Sequence, residues 1–397
     1  MPKVDLTKYA GREQAYVKHR LLEEYLSHWG YKVGSLWDSF VYVDGFAGPW
    51  ESKDENFADS SFGIATRVLN QVVSGLREAR NVRGLCLFVE KKPDAFAKLQ
   101  TYANTASNDN VAVFALKGRL VENLTKIAKH IASSGNNAFK FVFLDQKGWA
   151  ATPMSRLQPF LQNRSCEVLF NLMTSFLTRF VDNEDRASSY EQLFGRSGVL
   201  ERIRALPKGT GEREEAAVRE FCKTLRDLCG FRYVSEAVIL DPEKEKVRYY
   251  LVFATNHHKG IEVFKNAEMK AARLQDYVRH QTQIQKSGQD ELPLDDGPPT
   301  SPISLRLRDL YYVKAKKKFI ETLRKAPTAE GVSYRDLYCE TMAFPLVTPA
   351  DLDQWLRELW SKVEIRFSGS LNRKKLSPDV DDRVVVIDQG SIGLEVP

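Results

Sequence analysis

The sequence predicts a doubly wound α/β protein: a Rossmann-like parallel sheet with helices on both faces, followed by a smaller basic helical module. Three observations predict it. Seven apolar, β-rich runs recur between residues 40 and 255, helical stretches separate them, and the first two end in an acid. Near-continuous apolar strands suit a sheet covered on both faces, because neither side of such a strand meets water.

Taken in order, Leu21, Leu22, Tyr25, Leu26 and Trp29 form one helical stripe, so residues 12–29 read as an amphipathic helix. The strands follow as FVYVD (40–44), GLCLFVE (84–90), VAVFAL (111–116), FKFVFLD (139–145), CEVLFNL (166–172), YVSEAVIL (233–240) and VRYYLVFAT (247–255). The last pair is expected as an antiparallel edge, and a helix is expected over 260–285. The composition then breaks at SGQDELPLDDGPPTSP, where four acids and four prolines imply a linker or mobile insert. Beyond it come a basic helix (304–325), GVSYRDLYCETM, a Thr-capped helix with Leu352, Leu356, Leu359 and Trp360 on its apolar side, and two short strands around a basic loop. Helix, helix, helix, hairpin is the order of a winged helix. The expected organisation is residues 1–286 for the sheet domain, 287–302 for the linker, 303–388 for the winged-helix-like domain and 389–397 for a tail.

Composition narrows the function classes. A chain of 397 residues has room for two or three units, and 43% hydrophobic with 28% charged residues is ordinary for a globular protein. No apolar run approaches the ~18 residues of a membrane span, and the first residues hold no apolar leader core, so a cytoplasmic protein without a membrane partner is expected. The five cysteines lack paired spacing and are expected reduced and buried. The net charge of +6 permits an anionic partner. Residues 304–325 alone carry eight Lys or Arg against two acids. Lys314, Lys316, Lys317, Lys318, Arg324 and Lys325, with Tyr311, Tyr312 and Phe319 among them, are therefore candidates for a nucleic-acid contact, against the plainer reading of a solvated helix face.

The chemistry is expected at the carboxyl ends of the strands, where doubly wound sheets bind ligands. The stretch VYVDGFAGPWES stops at Asp44 and turns through Gly45, Phe46, Ala47, Gly48 and Pro49. Glycine there would let the backbone approach a ligand or take positive φ. Glu90 ends the next strand, a place from which an acid commonly holds ribose hydroxyls. No GxGxxG runs into a helix and no GxxxxGK[ST] occurs, which disfavours a dinucleotide or ATP. An acid, a Gly/Ala turn and a second acid fit S-adenosylmethionine, which has no phosphates.

YVDGFAGPW (42–50), YVKHRLLEEYLSHW (16–29), FVFLDQKGW (141–149) and ATNHHKGIEVFKNAEMK (254–270), in that set of positions over 12–275, resemble the three-Cys-motif partner (TcmP) family. The resemblance implies a class I methyltransferase fold with a C-terminal winged or helical extension, and a protein partner bearing three cysteines. It implies that Asp44 to Pro49 form the cofactor turn, that Glu90 is the ribose acid, and that Lys18 and His19 reach the cofactor carboxylate. Asp145 and Trp149 would hold and stack an exocyclic amine at the fourth strand's end. Two departures stand out. Trp50 replaces the turn's last glycine, and Gln146-Lys147 replaces a rigid proline and an aromatic.

His257 and His258 have no further ligands at metal-like spacing, so no metal site is expected; as residues near the ligand end of the sheet, one of them with Lys259 either faces substrate or packs the edge. Lys117, Arg119 and Lys147 would extend a phosphate-contacting rim. The reading is thus an S-adenosylmethionine-dependent methyltransferase acting on a nucleic-acid base amine. The alternative is an inactive methyltransferase-like adaptor that binds nucleic acid or a protein. A nuclease would need clustered acids, and those present sit in surface stretches.

Overall fold

The computed structural model describes residues 6–48, 52–135, 137–146, 152–209, 211–287, 300–327, 330–362, 364–368 and 376–387. Pro49, Trp50, Lys147, Gly148, Trp149 and most of the expected linker lie outside the described residues. Seven strands form the main sheet: β1 Ser39–Asp44, β2 Arg83–Glu90, β3 Val111–Lys117, β4 Ala138–Leu144, β5 Cys166–Leu172, β6 Tyr233–Leu240 and β7 Val247–Thr255. Each matches an apolar run of the sequence to within a residue or two.

Their order is β3-β2-β1-β4-β5-β7-β6. The first five are parallel, and β7 runs antiparallel to both β5 and β6. This is a doubly wound, Rossmann-like sheet with one antiparallel strand inserted beside its edge. All six residues of β1 are buried, so both faces are covered, as its unbroken apolar sequence requires.

The helices between the strands are α1 Glu13–Gly34, α2 Ser61–Leu76, α3 Pro93–Ala106, α4 Leu120–Ser133, α5 Met154–Leu161, α6 Thr174–Phe180, α7 Ala187–Phe194, α8 Val199–Arg204, α9 Glu212–Asp227 and α10 His258–Ser287. The stripe on α1 is buried as expected, with Leu22, Tyr25 and Leu26 wholly inside and packed toward α2 and α10. Lys18 and His19 are buried with that stripe. All five cysteines are buried, with free thiols. No helix among the described residues is long and apolar enough to cross a membrane.

After the sheet come α11 Pro302–Lys325, β8 Val332–Ser333, α12 Tyr334–Thr341, α13 Pro349–Ser361, β9 Ile365–Ser368 and β10 Arg383–Val386, the strands forming a small antiparallel sheet in the order β8-β10-β9. Thr348 caps α13 in a capping box with Asp351. The segment after α12 closes the open edge of the main sheet. The amide of Glu236 on edge strand β6 donates to the Ala343 carbonyl at 3.2 Å, and Ser235 Oγ to Met342 at 2.8 Å. Beside it, the buried Lys265–Glu268 ion pair of α10 meets the Phe344 carbonyl and the Leu346 amide. An unpaired edge is an aggregation template, and this contact removes it.

Two expectations for this region are corrected. Trp360 is 59% exposed, while Trp355 fills the buried position and donates to Tyr312 Oη at 2.7 Å. Of the three aromatic residues among the α11 cations, Tyr311 and Phe319 are buried and Tyr312 is half-buried. Its lysines are largely neutralised, with Lys314 paired to Glu215, Lys316 to Glu358 and Lys318 to Glu340. Lys317, Arg324 and Lys325 remain exposed.

Candidate functional site

The chain winds from β1 outward through β2 to β3, then returns to place β4 on the other side of β1. Strand order therefore reverses between β1 and β4, the point where such sheets leave a crevice for ligands. Asp44 closes β1 at this point, and Asp145 follows directly after β4.

Asp44 is fully buried and already engaged. Its Oδ1 accepts the Phe46 amide at 3.0 Å and its Oδ2 the Ser61 hydroxyl at 2.6 Å, tying the turn to the start of α2. Burial pushes its carboxyl up to about 7, although both hydrogen bonds oppose the shift. Gly45 was expected to serve a ligand. Its φ is not positive, and a Cβ there would stand 2.9 Å from side-chain carbons of Leu120 and Leu144. Space between packed leucines is what requires glycine at this position. The turn is further held by Gly45 N to the Phe143 carbonyl (3.0 Å) and Ala47 N to the Val89 carbonyl (2.9 Å). Glu90, buried at the end of β2, takes the Lys92 amide on Oε1 at 2.6 Å.

Lys18 reaches from α1 to form an ion pair with Asp145, 127 residues away in sequence. Asn171, near the end of β5, donates to the other Asp145 oxygen at 2.6 Å. Burial raises the Asp145 pKa, but the Lys18 ammonium and the hydrogen bonds outweigh it and hold the carboxyl below its usual range. His19 lines the same cavity, with Nδ1 3.1 Å from Tyr9 Oη. Its pKa falls to about 3 through burial and the neighbouring Lys18 charge, so its imidazole is neutral. Gln146, where the family pattern has proline, is buried and accepts the Thr152 hydroxyl at 2.6 Å.

These groups open onto a cavity of about 630 Å³, lined by Lys18, Phe46, Gly48, Ser61, Asp145, Asn171 and Tyr249 among others. The structure thus gathers Lys18, His19, Phe46, Gly48 and Asp145 at one cavity, with Asp44 behind the turn and Glu90 on the neighbouring strand end. Asn171 and Tyr249 were missed in the sequence. A lone Asn at the end of CEVLFNL was the available signal; Tyr249 had none, because it arrives only through the reversal of β7.

That reversal also overturns the placement of the histidines. β7 is antiparallel, so its end at Thr255 lies at the opposite edge from Asp44, beside the start of β5. The rings of His257 and His258 stack at 4.6 Å, and His258 begins α10 and bonds Asp379 at 3.0 Å. No group of three or more metal-ligating side chains occurs among the described residues.

No family model and no curated protein matches this sequence. Among solved structures, a presumed methyltransferase from Thermobifida fusca YX aligns at 12% identity and TM-score 0.32, over 62% of this chain and 82% of its own. An O-methyltransferase from Bacillus cereus, in complex with SAH, aligns at 10% identity and TM-score 0.28, over 59% and 80%. The fold class stands on the strand order itself.

Proposed function

We propose that the protein is an S-adenosylmethionine-dependent methyltransferase whose site is the cavity between the ends of β1 and β4. The observation that carries this reading is the buried Lys18 ammonium facing that cavity at the point of strand reversal, between a strand-end acid on each side. When bound, the cofactor would supply an electrophilic methyl group on a sulfonium.

Lys18 would hold its carboxylate, and Glu90, with one oxygen still open to donors, its ribose hydroxyls. His19 and Asp44 act indirectly, His19 by packing neutral beside Lys18 and Asp44 by fixing the turn that begins at Gly45 and Phe46. Asp145, held ionised, would accept the N–H of an exocyclic amine so that its lone pair points at the methyl group, with Trp149 stacking on the base. Gln146 anchors the segment through Thr152 where proline would do so by ring geometry. The proposed substrate is a base amine in nucleic acid. The helix-strand-helix-helix-hairpin order after residue 302, winged-helix-like, and the exposed Lys317, Arg324 and Lys325 support that choice.

One observation favours an adaptor without turnover: each Asp145 oxygen already accepts a donor from the protein, Lys18 on one and Asn171 on the other. In that case residues 303–388 carry the function, and the partner is nucleic acid or a protein such as the family's three-cysteine protein. Calorimetric titration with S-adenosylmethionine and S-adenosylhomocysteine separates the two. Micromolar binding that is lost in Lys18→Met and weakened in Glu90→Gln supports the enzyme; absence of binding at millimolar ligand supports the adaptor.

A further inference from the structure

A second cavity, about 900 Å³, lies at the opposite edge of the sheet, between α1, α10 and the starts of β4 and β5. Its volume falls in the range of small-molecule sites, about 300–1,000 Å³. Tyr25, Trp29, Trp37 and Phe139 contribute aromatic walls. Glu167 is buried at its inner end, where Oε2 accepts Tyr25 Oη at 2.6 Å and Oε1 accepts Thr255 Oγ1 at 2.7 Å. Each oxygen keeps a lone pair for a further donor.

Two observations point to a ligand. The indole N–H of Trp29 is buried and leans toward the Glu167 carboxyl without reaching good hydrogen-bond geometry, so part of the about 1–3 kcal/mol a buried donor is worth is still to be gained. The charge around the opening is also one-sided. Lys32, Arg164, Arg232 and Lys259 line the cavity, and Glu167 is the one acid among the described lining residues. Lys32, Arg232 and Lys259 share their charge with Glu262, Asp336 and Asp379, which do not line it. Arg164 is exposed and pairs with no acid among the described residues.

The geometry points to a binding site for a planar nitrogen heterocycle that carries a carboxylate or phosphate. The ring lies between the aromatic walls, with a ring N–H to Glu167 and a ring acceptor to Trp29 Nε1, and the anionic group reaches Arg164 at the opening. Aromatic faces favour such rings through offset stacking, and a guanidinium pairs with either anion. This site is separate from the proposed cofactor cavity and does not depend on it.

The test is calorimetric titration of the full chain with orotate and adenosine 5′-monophosphate, against the uncharged uracil and adenosine. Saturable binding of at least one anion is expected, stronger than that of its uncharged counterpart. Trp29→Phe, which keeps the ring but removes the N–H, and Arg164→Ala, an exposed change that leaves the core intact, are each expected to weaken it about tenfold, the worth of one hydrogen bond to a charged or buried group. Lys18→Met, at the other edge, is expected to leave it unchanged. No heat from either anion at millimolar concentration overturns the proposal. So does affinity that is indifferent to charge and to Arg164, or binding that disappears in Lys18→Met.

Discussion

Asp145 and Glu167 are both carboxylates held behind α1, at opposite edges of the sheet, and they ionise in opposite directions. Asp145 has a cation, Lys18, and its pKa is lowered; Glu167 has only neutral donors, the Tyr25 and Thr255 hydroxyls and the Trp29 indole, and burial drives it up to about 7. Lys18 and Tyr25 stand seven residues apart on one face of the same helix, so a single stripe supplies both partners. Burial alone therefore does not set the charge of a carboxyl in this protein. What faces it does, and at one edge the result is an acceptor fixed as an anion, at the other a group poised to change charge.

A third buried acid calibrates the comparison. Glu268 pairs with Lys265, the two side chains 3% and 2% exposed, and here burial outweighs the cation and raises the carboxyl's pKa, so depth counts beside the facing group. Lys265→Met should leave an uncompensated charge beneath the C-terminal module and cost about 3–5 kcal/mol, read as a lowered denaturation midpoint in urea. Glu167→Gln tests the neutral side. The wild-type carboxyl gains protons on folding, so its stabilisation is complete below its unfolded pKa of 4.5 and is lost as pH rises through about 7, on the order of 3 kcal/mol. The variant should show a correspondingly shallower fall in stability over that window; an unchanged slope would place the titration elsewhere, with Asp44 the next group to test.

Lys18→Met attacks the other arm. Asp145 keeps a side-chain exposure of 23%, so the loss should be smaller than at Lys265, roughly 2–3 kcal/mol. Its lowered pKa contributes stability above the unfolded value of 3.8 that fades as pH falls through the folded value. The variant should lack that acid-sensitive component and resemble Glu167 in the sign of its pH dependence. The smallest effect is expected for Tyr25→Phe, which removes one hydroxyl donor from Glu167 and should cost ~1 kcal/mol while raising the Glu167 pKa further, measurable from the pH profile of thermal unfolding.

Much of the fold was legible in the chain. FVYVD, CEVLFNL and VRYYLVFAT are strands because alternate residues on both faces are apolar, and Thr348 with Asp351 announces α13 through contacts three residues apart. These signals are local, and local energetics suffice to write them. The site was legible only as residue types at strand ends: Asp44 was found, but its hydrogen bonds to Ser61 and Phe46 show that it holds the turn, and Gly45 answers to Leu120 and Leu144, residues no local pattern connects to it.

By itself, then, the sequence determined where the seven strands of the main sheet lie and where α1, α10, α11 and α13 run, that the sheet is buried on both faces, and that acids close β1 and β2. Tertiary structure alone decided that Lys18 meets Asp145, that β7 turns back and carries His257 to the far end, that Lys314, Lys316 and Lys318 of α11 pair with Glu215, Glu358 and Glu340, and that Glu167 faces two hydroxyls and an indole N–H. The physical reason is range. Apolar periodicity is set by each segment's own burial, whereas the ionisation of a group depends on which charges folding brings within a few ångströms, and those come from parts of the chain a hundred residues away.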